Sequence, residues 1–199
     1  MQPQPVAYPV TFTFDPPESI ARWRPLVAWI LVIPQLIVVS VISLVAGVCA
    51  VAAWFIILVT GKLPDGLAGV LSLAVRAQTR VSAYSMFLKE EYPPFSFETT
   101  TAEPGDDPRV RVEVAPALED RKRLSVFFRG LLILPQAIVL GFVGLAASVV
   151  LFLALFAVLF TARWPAGMQR FVLGFLRWNA RVLGYYYLLT DDYPPFSLD

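Results

Sequence analysis

The segment Tyr92-Pro93-Pro94-Phe95-Ser96 returns as Tyr193-Pro194-Pro195-Phe196-Ser197 at an offset of 101 residues, and that offset organises the rest of the chain. Without a gap it aligns Glu18 with Glu119, Arg22 with Arg123, Pro34-Gln35 with Pro135-Gln136, and Thr60 with Thr161. It continues through Pro64 and Pro165, Gly66 and Gly167, Arg76 and Arg177, Arg80 and Arg181, and Tyr84 and Tyr185. A duplication this regular means one structural unit used twice. The units are expected over residues 1–98 and 109–199, joined by a linker at 99–108 that is rich in proline, glycine and acid.

Each unit has the same four parts. The opening segments VTFTF (10–14) and VRVEV (110–114) alternate residue by residue, which predicts a short half-exposed strand in each. Two strands alone are marginal, so they are expected to lean on the tails or on helices. A long apolar run, an amphipathic segment and the Tyr-Pro-Pro-Phe tail follow in turn.

The apolar runs set the class. Between Pro25 and Thr60 the only ionisable side chain is Cys49, and between Gly130 and Ala162 there is none. About 18 such residues already make a membrane-helix candidate. Hydrophobic residues form 57% of the chain and charged ones 16%, which fits an integral membrane protein, mainly α, placed as a multi-pass protein in the cell (inner) membrane. The first 24 residues lack a basic start followed by a cleavage site, so no cleavable signal peptide is expected. The absence of histidine removes histidine-based acid–base catalysis and most zinc sites, and the single cysteine cannot form an internal disulfide. No cofactor, no metal and no nucleic-acid partner is expected.

A run of about 35 residues makes a straight helix of roughly 50 Å, against a hydrocarbon core of about 30 Å. Two geometries answer the mismatch. One is a hairpin of two short helices turning near Ser40 and Ser43, or near Gly141 and Gly144. It keeps every Lys and Arg flank on one face, with both termini cytoplasmic. The alternative is one kinked span, bent at Pro34 or Pro135, which inverts the repeats and places Lys62 and Arg163 on opposite faces. The charge pattern favours the hairpin. Against it, the proposed turns offer no strongly polar residue to satisfy the backbone.

Within the runs, Gln35 and Gln136 are the polar candidates. The plain reading is an interhelical hydrogen bond, between the two glutamines themselves, and the sharper one is a substrate contact. After each run, apolar residues recur at helical spacing, while Arg76 and Arg80, and likewise Arg177 and Arg181, share another face. An amphipathic helix lying at the lipid interface would carry its arginines to anionic headgroups. A helix packed on the protein would pair them with acids instead.

The prolines stop that helix. Glu90, Glu91, Asp191 and Asp192 then stand at a helix C-terminus, the wrong end for negative charge. Salt bridges to the repeated arginines, or a surface for a basic partner, would explain them. Tyr92 and Phe95, with Tyr193 and Phe196, lie on one side of an extended turn and complete the candidate partner contacts.

The combination of a long arginine-flanked run with an internal Pro-Gln, a Thr-Gly-Lys or Thr-Ala-Arg exit before a proline, an Arg-x-x-x-Arg helix and a Tyr-Pro-Pro-Phe tail resembles the bacterial membrane family DUF4389. The resemblance covers residues 10–97 and 110–198 as two tandem copies, with Ala162 where the first copy has Gly61. It implies a fold and a membrane location but no reaction. The expected function is a non-enzymatic scaffold or accessory subunit organising a membrane complex or a lipid patch. The alternative is a channel or transporter for an apolar or lipid solute. The expected partners are the bilayer and either a membrane protein or further copies of this chain.

Overall fold

A computed structural model describes residues 8–199; the first seven, where the expected cytoplasmic N-terminus falls, lie outside the described residues. The first repeat folds as β1 (Val10–Phe14), α1 (Arg24–Leu31), α2 (Ile33–Thr60) and α3 (Asp65–Ser85). The second folds as β2 (Val110–Val114), α4 (Arg123–Phe127), α5 (Arg129–Thr161) and α6 (Ala166–Tyr186).

Neither apolar run turns back within itself. α2 is one helix of 28 residues and α5 one of 33, so the expected hairpin inside each run is wrong. The reason is local. Ser40 donates its hydroxyl to Leu36 O at 2.6 Å and so satisfies itself without leaving the helix. A glycine inside a helix costs only about 1 kcal/mol relative to alanine, far less than opening the backbone in an apolar setting. An interruption near the proline, where the kinked alternative put it, occurs in the first run only. The first breaks at Val32, just before Pro34, and the second breaks earlier, at Phe128, with Pro135 carried inside α5.

The true turn comes at the end of the run. Gly61 takes the left-handed conformation (φ 75°) and its N–H caps Ile57 O; Pro64 then starts α3, which returns along α2. In the second repeat Ala162 holds the same left-handed geometry at φ 58°, where a Cβ is disfavoured. The helical hairpin therefore exists, but its second arm is the amphipathic segment. Residues 71–76 of α3 are buried on every side, so this helix does not lie at a lipid interface. It packs on α2, on α6 and on β2, and α6 is held between α5, α3 and β1.

The two repeats embrace each other about a pseudo-two-fold axis. β1 and β2 pair antiparallel, with Phe12 opposite Val112 at the centre of the register. Reciprocal bonds run between the repeats: Arg121 N donates to Gly61 O at 3.1 Å, and the aligned Ile20 N donates to Ala162 O at 2.8 Å. Trp54, late in α2, donates to Val126 O and stacks on Phe127 just before α5. Conversely, Ala28 of α1 clusters with Ala154 and Val158 late in α5. α2 and α5 thus run antiparallel, and Lys62 and Arg163 stand at opposite ends of the bundle.

The core lies between layers. Val10, Phe12, Val110, Val112 and Val114 of the strand pair cover α3 and α6, whose far side carries α2 and α5. α2 contributes only the stripe Gln35, Ile42, Ala46, Ala53 and Ile57 to the interior, and α5 contributes Gln136, Ala147, Ala154 and Val158. Half-buried neighbours such as Val38, Trp54 and Leu151 flank these stripes, and the opposite surface of both helices is bare. Val48 is 67% exposed and Phe142 71%.

Candidate functional site

Both glutamines are buried and hydrogen-bonded, but not with each other. Gln35 donates from Nε2 to Pro93 O at 2.6 Å, and Gln136 donates to Pro194 O at 2.6 Å. Each apolar helix therefore grips the tail of its own repeat at the same proline carbonyl. A carbonyl in a Tyr-Pro-Pro segment has no helical donor available, and the amide supplies one. Gln136 also accepts from Trp178 Nε1 at 2.9 Å, a bond the first repeat lacks. Gln136→Leu removes both partners inside the core and should cost about 2–6 kcal/mol, at 1–3 kcal/mol for each buried polar group left unpaired. Gln35→Leu, with one bond at stake, should cost about half that. Thermal unfolding in mild detergent, followed by circular dichroism, ranks the two variants; equal shifts would remove the role given to Trp178.

The four aligned arginines face the chain that follows each tail. Arg76, 1% exposed, donates to Val112 O, Thr100 O and Thr101 O and lies 3.3 Å from Glu103. Arg80 pairs with Glu103 and with Asp106, the latter at 2.7 Å. In the second repeat, Arg177 donates to Leu198 O at 3.0 Å, and Arg181 reaches Ser197 O and Asp199 O. Burial of Arg76 and Arg80, 1% and 3% exposed, overturns the headgroup role for these two, whereas Arg177 and Arg181 are only half-buried. Acid pairing holds for the first two, through the 99–108 segment and not through the tail acids.

The tail acids have other partners. Glu90 accepts the backbone N–H of Ala21, and the aligned Asp191 accepts that of Lys122 at 2.7 Å. One carboxylate thus fastens the entry of each repeat to the exit of its own amphipathic helix. That bond explains acids at a helix C-terminus in both copies. Glu91 pairs with Arg109 at 2.9 Å. Asp191 also binds Arg121 at 2.8 Å and Arg129 at 2.6 Å. Burial pushes the Asp191 carboxyl up, but the bonds from Arg121 and Lys122 N and the charges of Arg121 and Arg129 prevail and hold it below the ordinary aspartate range. Asp192 contributes its backbone, its carbonyl accepting from Tyr8 Oη at 3.1 Å.

The aromatic residues staple each tail to its helix. Tyr92 meets Tyr84 edge-on at 5.2 Å and Phe95 at 5.7 Å; Tyr193 meets Tyr185 at 5.6 Å and Phe196 at 6.0 Å. Half of each ring surface stays outside: Tyr92 and Tyr193 are 40% exposed, Phe95 and Phe196 53%.

Two further features escaped the sequence. Arg24 stacks over Tyr84 at 4.0 Å, and Arg129 over Tyr185 at 3.9 Å, so equivalent places are filled from positions that the 101-residue offset does not align. Arg129 is 4% exposed and donates to Tyr185 O and Thr190 O. Lys89 and Asp107 form an ion pair with both side chains wholly buried. Lys89 aligns with Thr190, so no repeat signal marks it. Among the described residues no group of three or more Cys, Asp or Glu side chains is arranged to hold a metal ion.

No curated protein and no solved structure matches the chain. A family model described as a domain of unknown function, DUF4389, matches it over residues 22–96 and again over 123–197. Those stretches run from the entry arginines to the stapled tails, the part of each repeat in which glutamine, amphipathic helix and proline carbonyl hold one another, and the chain belongs to the DUF4389 family in two tandem copies.

Proposed function

We propose that this is a non-enzymatic membrane protein, a scaffold or accessory subunit that organises a membrane complex or a patch of lipid. The observation that carries the reading is the bare apolar surface of α2 and α5. The most apolar window of each has a mean hydropathy of 2.8 and is only 17% buried, whereas the core helix of a soluble domain would be mostly covered. The polar groups available for chemistry or for lining a path hold the fold instead: Gln35 and Gln136 bind the tails, and the arginines bind carbonyls and carboxylates. That use of Gln35 and Gln136 takes away the residues on which the transport alternative rested. What a repeated unit offers a partner is two matched surfaces, each rimmed by a half-exposed Tyr and Phe.

Purification from the native membrane in mild detergent, followed by mass spectrometry, tests the reading. The protein should stay with the membrane through a high-salt wash and should carry a second membrane protein at fixed stoichiometry. Isolation alone, as a monomer or a ring of copies, would overturn the scaffold role.

A further inference from the structure

We infer that the protein sits in one leaflet, with α2 and α5 lying along the membrane plane, and that it does not cross the bilayer. The inference deepens the membrane reading above and rests on it. It starts from where the polar and apolar surfaces fall relative to the pseudo-two-fold axis. That axis passes between Phe12 and Val112, perpendicular to the strand pair, and relates α3 to α6 and α2 to α5. The layers are stacked along it. The strand pair lies on the α3 and α6 layer, while α2 and α5 pack on the other side of that layer and not on the strands.

The helical periodicity fixes which way the bare surface points. On α2 the exposed Ile37, Leu44, Val48 and Phe55 fall opposite the buried Gln35, Ala46 and Ala53, and on α5 Ile138, Leu145 and Phe156 fall opposite Gln136, Ala147 and Ala154. Both stripes point away from α3 and α6, and hence away from the strands. The strands in turn show Thr13, Arg111 and Glu113 on their outer side. One end of the axis is therefore apolar and the other charged.

An upright protein would lay this axis in the membrane plane and bring Arg111, Glu113 and the ion pairs around Glu103 to the depth of the bilayer centre, where charge is strongly disfavoured. Upright helices of 28 and 33 residues, about 42 and 50 Å, would also overrun a hydrocarbon core of about 30 Å. Turning the axis along the membrane normal removes both conflicts. α2 and α5 then lie within one leaflet and the strands stand in water.

The rim agrees with a lipid occupant. Tyr92, Phe95, Tyr193 and Phe196 stand half-exposed where the tails flank the helices, at the level expected of interfacial rings. Arg22 and Arg163 are exposed at one end of the bundle, and Lys122 and Arg123 at the other; among the described residues none of the four has a carboxylate partner. In the flat seating all four meet headgroups of the same leaflet, as anionic lipid would favour. Between α2 and α5 a groove of about 420 Å³, bounded by Gly47, Val51, Trp54, Gly130 and Ile133, opens on the apolar side, where an acyl chain of that leaflet can fill it.

Single cysteines on a Cys49→Ala background test the seating in right-side-out and inside-out vesicles of the native membrane. With a membrane-impermeant maleimide, Lys62→Cys and Arg163→Cys should both label in one preparation and both lose labelling in the other. Bimane-labelled cysteines at Ile37, Val48 and Val59 should be quenched by doxyl lipids at one common depth. Labelling of Lys62→Cys and Arg163→Cys from opposite faces, or a probe at Val48 much deeper than those at Ile37 and Val59, overturns the flat seating while leaving membrane residence intact. Release of the protein by a high-salt wash overturns both.

Discussion

Replacing Asp107 with alanine destabilises the protein by about 3–5 kcal/mol, the usual cost of breaking a buried ion pair by removing one partner. Neither Lys89 nor Asp107 exposes any side-chain surface. Asp107 also accepts the backbone N–H groups of Arg109 and Val110, both at 3.0 Å, and so hangs the start of β2 from the end of the first repeat. Burial pulls the Lys89 ammonium below the ordinary lysine value of 10.5, and only Asp107 and, more weakly, Glu91 oppose it. Without Asp107 the depression deepens. A lysine whose folded pKa is lowered makes the unfolded state the stronger proton binder, so stability rises with pH through that interval. The variant's deficit should therefore shrink as pH rises from the variant's more depressed folded value to the parent's, and stay constant above that. Adding Lys89→Met to Asp107→Leu should recover most of the loss, leaving about 1 kcal/mol for each backbone donor no longer accepted. Thermal unfolding in detergent across pH measures all three proteins. A single variant that unfolds with the parent would show that the pair contributes nothing.

That pair also marks what the repeat could not reveal. Matching at a constant offset reports only what the two copies share, and Lys89 faces Thr190 in the alignment. The arginines show the same limit: Arg76 and Arg80 are aligned with Arg177 and Arg181, yet the first two find Glu103 and Asp106 in a segment with no second copy. What both copies share was legible. The strands followed from alternation, and their support by helices from the weakness of two strands alone. The apolar runs and the amphipathic stripes followed from period and composition.

The hairpin was half legible. Small residues inside each run resemble turn signals, but a helix tolerates them. The stop signal stood at the run's end, a left-handed Gly61 followed by Pro64, with Ala162 and Pro165 in the second copy. Placing the turn there converts the second arm from an apolar helix to the amphipathic one, and takes Arg76 and Arg80 from a lipid face to the interior. The glutamines could not be assigned from spacing. Both lie 58 residues from their proline carbonyls, but every aligned pair of positions repeats its separation equally.

Asp191→Asn should cost about 3 kcal/mol near neutral pH, since two guanidinium groups lose one carboxylate in a nearly closed site. The Arg121 and Arg129 side chains are 0% and 5% exposed, and Asp191 is the acid they share. The same residue accepts Lys122 N, and Arg121 N binds Gly61 O, so the pair of arginines ties the entry of the second repeat to the turn that closes α2. The sign of the pH effect follows from the carboxyl's lowered value. Its contribution is fully present above the ordinary aspartate value of 3.8 and is lost as pH falls through the depressed folded value. Glu91 and Glu119 titrate in the same direction, so the parent alone does not isolate the effect. The difference between parent and variant does: it should be constant from neutral pH to about 4 and then narrow on acidification. A difference that stays constant into acid would mean that the charge of Asp191 is not what holds Arg121 and Arg129. The asparagine would then be failing through its shape, and Asp191→Leu would unfold no earlier than Asp191→Asn.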